Sequence, residues 1–336
     1  MEKGPVIRTI GNASSEKKEM SKKEIINALF NHFESLSPQE EEELRKHEYP
    51  KSEKEISVIN FANQETSRLM KEAGIEPYDI PTENFHIIPS DLYKKAGGDN
   101  SIARAFTNKQ GILFDAQEFR DNPLHFGSTA IHESLHLKAH LSLEVQEKGE
   151  KIRKTPYREG VTIKALQGHD FHRHFAGLHE TIVAETQKRL LPKLLDCPAL
   201  ITQKEWLLSD EAKKIKNELI EKRKIPESDI IWVGKKGDDD WESIQYTQQR
   251  KVLNYVCDEI KKQFPNEYKN IDDVYKVFLN AHFTGRLLDI AKIVEKTFGE
   301  GSFRILGNME TDRESGVLHL ESLKKARGRQ KKGNFS

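Results

Sequence analysis

The sequence predicts an α+β fold, predominantly helical, with one small antiparallel sheet and a helical C-terminal part. Two observations carry that expectation. Apolar residues recur at helical spacing through most of the chain, in windows longer than strands reach. Three short runs, Asn84 to Pro89, Ser101 to Phe106 and Gly111 to Asp115, instead read as strands bounded by turn-forming residues.

Taken in order, residues 1–20 are polar, lack a period and are expected to be disordered. Ser21 to Leu36 reads as an amphipathic helix with Ile25, Ile26, Leu29, Phe30 and Phe33 on one side. Pro38 to Lys54, dense in Glu and Lys, reads as an exposed helix or linker, and Ile56 to Ala73 as a helix ended by Gly74. The three strands follow, the last two joined through Asn108-Lys109-Gln110-Gly111. A helix is expected from Gly127 to Glu147, a charged, glycine-containing loop from Lys148 to Gly168, and a second long helix from Asp170 to Leu191, closed by Pro192. Beyond it the expected helices are Asp210 to Arg223, Trp241 to Gln263, Ile271 to Ala281 and Leu287 to Phe298, with a short strand at Ile230 to Val233.

At 336 residues the chain can bury one large core or two ordinary ones. Apolar residues at 36% against charged residues at 32% mark a soluble, rather polar protein. Lysine plus arginine equals aspartate plus glutamate, 54 each, so no global charge draws the chain to nucleic acid or membrane. Cys197 and Cys257 have no metal-ligand spacing, and two lone thiols suit a reducing compartment. Met1 to Met20 has no apolar run of signal-peptide length, and no stretch approaches the ~20 apolar residues of a membrane helix. The expected location is the cytoplasm. The basic run Lys324 to Lys332 reads as a disordered, solubilising tail rather than a nucleic-acid contact.

Chemistry concentrates in His132-Glu133-Ser134-Leu135-His136. Residues four apart on a helix share a face, about 6 Å apart along the axis. His132 and His136 can therefore bind one tetrahedral zinc ion through their imidazole nitrogens. Glu133 projects toward the same cleft, where it can take a proton from a zinc-bound water. Ala130, Ile131, Leu135 and Leu137 give the motif the apolar frame that a buried active-site helix requires. A surface helix with incidental histidines would not need that frame.

Three residues compete to complete the site. His140 repeats the spacing, but on a continuous helix it lies two turns, about 12 Å, from His132, too far to share one ion at ~2 Å bonds. Glu185 is followed by Lys188 and Arg189 at the spacing of a solvated ion pair. Glu180 has the small residues Ala176, Gly177 and Ala184 on neighbouring turns, which let its helix approach the motif helix closely. Glu180 is the expected third ligand.

His132-Glu133-Ser134-Leu135-His136 with a downstream Glu180-Thr181-Ile182-Val183-Ala184-Glu185 resembles the gluzincin branch of the zincin metallopeptidases. Ser142, six residues after His136, excludes the metzincin branch, which has histidine there. The resemblance spans roughly Phe85 to Leu191. It implies a zincin-like catalytic core, the ligands His132, His136 and Glu180, the general base Glu133, and hydrolysis of peptide bonds in a peptide or protein substrate. Two positions depart from the family pattern: His179 stands where Asn is common, and Lys138 where an apolar residue is frequent. Tyr157-Arg158-Glu159-Gly160 and Phe283-Thr284-Gly285-Arg286-Leu287-Leu288 are similar to segments of uncharacterised bacterial proteins of this type. The chain then divides into a charged, partly disordered segment (1–55), the core (56–195), a helical C-terminal part (196–322) and a basic tail (323–336). The rival reading is a zincin-fold binding or regulatory protein without turnover.

A hydrolase of this kind needs a donor aimed at the developing oxyanion. Tyr157 and Arg158, between the two ligand helices, are the expected donors; His282 and the group His169, His172 and His174 are further candidates. The histidine group could also be a second metal site or simply solvated, and His125 is expected to be structural. His179 either orients a ligand or packs. The strand at Ser101 to Phe106 or Gly111 to Asp115 is either an edge that receives extended peptide or an ordinary hairpin.

Overall fold

Ser14, Ser37 and Ser52 each accept a backbone N–H three residues ahead and so open the first three helices, α1 (Ser15–Phe30), α2 (Pro38–His47) and α3 (Glu53–Glu72). Glu40 and Glu55 return a bond to the backbone of their capping serines, completing two capping boxes. The computed structural model describes residues 4–96, 101–119, 122–149, 151–167, 170–236 and 240–333. The expected disorder over residues 1–20 gives way to β1 (Ile7–Ile10) and the start of α1, residues 1–3 lying outside the described ones. β1 is held by a distant partner: Ile7 pairs with Leu141 and packs with Ile25, Leu143 and Val145.

Strands β2 (Phe85–Ile88), β3 (Ala103–Phe106) and β4 (Gly111–Asp115) form the expected small sheet, with α4 (Ser90–Lys95) on the way from β2 to β3. The order is β2-β4-β3, and β2 runs parallel to β4, so the sheet is mixed rather than antiparallel. The excursion through α4 and β3 supplies the crossover that a parallel pair requires. β3 is left as an edge.

After α5 (Ala116–Phe119) comes the motif helix, α6 (Pro123–Leu137), which stops at Leu137 instead of Glu147. Lys138 ends it: 2% exposed, its Nζ donates to Thr66 Oγ1 at 2.9 Å and Ser67 Oγ at 2.8 Å on α3. Leu141, Leu143 and Val145 then alternate with Ser142, Glu144 and Gln146, a two-residue period that makes β5 (Leu141–Lys148). The expected loop is replaced by β6 (Lys151–Glu159), β7 (Thr162–Gln167) and β8 (Asp170–His174), which continue β5 as an antiparallel meander in the order β1-β5-β6-β7-β8. Lys151, Arg153 and Lys154 keep the outer half of β6 exposed, so no apolar face announces it in the sequence. The second long helix, α7 (Ala176–Leu194), accordingly starts at Ala176 and not Asp170.

The C-terminal part contains α8 (Ile201–Leu208), α9 (Asp210–Arg223), β9 (Ile230–Val233), β10 (Trp241–Ser243), α10 (Thr247–Gln263), α11 (Ile271–Thr284), α12 (Leu287–Phe298), α13 (Ser302–Gly307) and α14 (Arg313–Gly333). Trp241, expected to open a helix, pairs with Val233 across β9 and β10. The basic tail is not a free coil over its described length. It is the end of α14, where the buried Arg327 donates to Glu259 Oε2 at 2.8 Å and to Thr297 O at 2.6 Å. A single apolar cluster runs from Leu29 to Ala326, so the expected core and the helical C-terminal part share one interior. Among the described residues no helix is long and apolar enough to cross a membrane.

Candidate metal centre

α6 is buried along almost all of its length, with α3 and α7 packed against it. His132 and His136 stand one turn apart at its open side, their ring centroids 4.9 Å from each other. α7 presents Glu180 to them. The inner nitrogens, His132 Nε2 and His136 Nε2, are 3.2 Å apart. Glu180 Oε2 lies 3.4 Å from His136 Nε2 and 3.6 Å from His132 Nε2. Ligands on a tetrahedral ion with bonds of ~2.1 Å are about 3.4 Å apart, and two imidazoles with a carboxylate form a donor set that zinc takes. Among the described residues this is the one group of three such side chains close enough to share an ion.

The outer hydrogen bonds set the histidine tautomers. Gln187 Nε2 donates to the Ser128 carbonyl at 3.1 Å and the Ser128 hydroxyl at 3.0 Å. A carbonyl only accepts, so the amide nitrogen must face Ser128, and Gln187 Oε1 faces His132 Nδ1 at 3.1 Å. His132 Nδ1 therefore donates, and its Nε2 keeps a lone pair toward the centre, as a metal ligand requires. His136 Nδ1 is 2.9 Å from His179 Nε2. Behind it, His282 Nε2 donates to Leu135 O at 3.0 Å. The Nδ1 atoms of His179 and His282 are buried with no partner among the described residues. Both flank Gly160, where a Cβ would fall 2.6 Å from one and 3.0 Å from the other.

Burial opposes charge throughout this region, yet the pair at its centre is polarised. Glu180 is pushed up by burial but held well below the ordinary carboxylate range by His136 and His132. His136 is lowered by burial but raised, on balance, to about 9 by Glu180. His179 is driven well below its usual value by burial and by His136, and His282 falls to about 4, with burial the largest cause. The outer histidines are thus neutral, and the place between the inner ones favours positive charge.

Glu133 Oε2 accepts the backbone N–H of Ala105, on edge strand β3, at 2.8 Å. Tyr246 enters from the turn before α10, in the left-handed region at φ 58°. Arg250 braces that turn by donating to Gln245 O at 3.0 Å while paired to the buried Asp229. Burial, Glu180 and Glu133 all push the Tyr246 phenol up, so its hydroxyl in the cleft remains protonated. These groups line a cleft of about 640 Å³ between β3, α6 and the β6–β8 wall.

His132, Glu133, His136 and Glu180 meet in this cleft, as expected from the sequence. Tyr157 and Arg158 do not line it. Ser142 pairs with Arg158 and Leu143 with Pro156, so Tyr157 is the extra residue of a β-bulge. The bulge turns Pro156 and Glu159 into the cleft, while Arg158 Nε donates to Gly160 O at 3.3 Å. His140 is not on α6 at all; its N–H donates to His282 O at 2.9 Å. Glu185 is buried rather than solvated, paired to Arg189 at 3.1 Å. His172 is exposed and His174 half-buried on β8, while His169 lies outside the described residues. Gln187 and Tyr246 are absent from the expected set. Gln187 lies two turns beyond Glu180 on the same helix face and is legible in hindsight, whereas Tyr246 has no local signal. Comparison of the chain with protein-family models, curated proteins and solved structures finds no match.

Proposed function

We propose that this chain is a zinc-dependent peptidase with a zincin-like catalytic core. The observation that carries the reading is the triangle of His132 Nε2, His136 Nε2 and Glu180 Oε2, with edges of 3.2, 3.4 and 3.6 Å, beside a carboxylate that is not part of it. Those three side chains hold the ion. When bound, zinc lowers the pKa of a water to near neutrality and polarises a carbonyl.

The chain's own residues do the rest. Glu133 takes the proton of the attacking water and returns it to the leaving amine. Tyr246, protonated and lining the same cleft, donates a hydrogen bond to the developing oxyanion. Ala105 turns its peptide group away from β4, and the two-residue period turns Ala103 the same way. An extended peptide can add to this edge as a further strand. Doing so takes the Ala105 N–H from Glu133 and frees the carboxylate for its role as base.

That contact also favours the rival reading in one respect, since without an added strand Glu133 is engaged with the backbone. Glu133→Gln decides between them. The peptidase reading expects unchanged zinc content and loss of cleavage of a denatured protein mixture. Equal cleavage by the variant would contradict it, and zinc without any cleavage by the wild type would favour a binding protein.

A further inference from the structure

β7 and β8 set two cations directly opposite each other. Lys164 and Arg173 are paired across this antiparallel ladder, and both line the cleft. Like charges in that relationship weaken a sheet. Lys164 is compensated: its Nζ lies 2.8 Å from Glu159 Oε2, while Glu159 Oε1 accepts from Thr107 Oγ1 at 2.8 Å. Arg173 is exposed, and Glu159, the carboxylate on which its charge acts, is already bonded to Lys164 and Thr107. On the same face of β7 as Lys164, Thr162 is 1% exposed, and its hydroxyl has no hydrogen-bond partner among the described residues although it lines the cleft. A buried hydroxyl without a partner calls for a missing group. On a wall that also carries the Lys164 and Arg173 cations, an anionic oxygen suits that place.

We propose that this wall is a subsite for a carboxylate of the substrate, either an acidic side chain near the scissile bond or a free C-terminus. The proposal rests on the peptidase reading and names its substrate class. Arg173 receives the carboxylate through its planar fork of donors, and Thr162 supplies a hydroxyl at the base of the same wall. Charge balance points the same way. Glu133, Glu159 and Glu180 face Arg104, Lys164 and Arg173 in the cleft, so a divalent ion leaves it positive and a substrate carboxylate offsets part of that excess.

The test separates recognition from turnover. Peptides of one sequence carry Glu, Gln or Lys at each position near the cleaved bond, each with a free or amidated C-terminus. Turnover is read as kcat/KM for wild type, Arg173→Gln and Arg173→Glu. Affinity is read by calorimetry on zinc-loaded Glu133→Gln protein with and without the same changes at Arg173. The expected result is a preference of about 10- to 100-fold for the Glu or the free-terminus peptide, the size of one charge-assisted hydrogen-bonded pair. Arg173→Gln brings the ratio close to one, and Arg173→Glu inverts it toward a Lys-bearing peptide, with unfolding midpoints equal to wild type. Whichever arm responds identifies the source of the carboxylate. A wild type indifferent to charge, a preference that survives both substitutions, or no binding of any peptide overturns the subsite. Charge-dependent binding without turnover keeps the subsite and overturns the peptidase reading instead.

Discussion

His179 Nε2 lies 2.9 Å from His136 Nδ1, on the far side of the ring from the proposed ion. Such outer partners fix the tautomer and angle of a ligand, and losing one typically costs 10- to 100-fold in metal affinity. His179→Ala is expected to weaken zinc binding by about that factor, measured by competition with a chelator. Gly160→Ala should act the same way from outside the site. Gly160 sits at φ 55°, and a Cβ there falls 2.6 Å from the His179 ring. Unchanged zinc affinity in both variants would show that His179 merely packs.

Tyr246→Phe keeps the ring and removes the hydroxyl from the cleft that His132, His136 and Glu180 line. Loss of one oxyanion donor costs about 100-fold or more in kcat. The expected outcome is that loss with zinc stoichiometry intact. A variant as fast as wild type would assign the donor elsewhere.

Glu133 also has a structural contact, since it accepts the Ala105 N–H at 2.8 Å. An amide oxygen can replace the carboxylate there, but a methyl group cannot. Glu133→Gln should unfold in denaturant close to wild type, and Glu133→Ala should be less stable by ~1 kcal/mol, the typical worth of one hydrogen bond. Equal losses in the two variants would mean that the contact does not stabilise the fold.

Acid should release α14. Burial raises the Glu259 pKa, but Arg327, Lys262 and Lys331 draw it down to about 2 from an ordinary 4.5. A carboxyl depressed by folding stabilises fully above its unfolded pKa and loses that contribution as pH falls toward the folded one. Hydrogen exchange in α14 should therefore accelerate as pH drops from about 4.5 toward 2, after correction for intrinsic rates. Glu259→Ala, which leaves the buried Arg327 unpaired, should cost about 3 kcal/mol and remove the acid dependence. Exchange that ignores pH in the wild type would contradict this.

The sequence made the proposed metal centre far more legible than its surroundings. His132 and His136 need only helical spacing, and Glu180 could be chosen over Glu185, although the small residue Gly177 proves to accommodate the Met309 and Glu310 carbonyls rather than α6. The end of α6 was hidden because His136 to His140 contains neither glycine nor proline, and Leu141, Leu143 and Val145 also fit a helical face. β1, β6, β7 and β8 depend on pairings that local patterns do not encode, and β6 carries too little apolar surface to reveal its period. Tyr157 and Arg158 were misplaced for a related reason: a bulge, which only the paired strand reveals, decides which residues of β6 face the cleft. Tyr246 depends on a buried Arg250–Asp229 pair far from the motif.

The central claim is that His132, His136 and Glu180 hold one zinc ion on which hydrolysis depends. Metal-free chain titrated with zinc, with cleavage of a denatured protein mixture followed at each step, tests it most directly. The account predicts no cleavage without metal and a linear rise that levels off at one zinc per chain. Cleavage by the metal-free chain equal to that of the loaded one, or none at any zinc level, would contradict it.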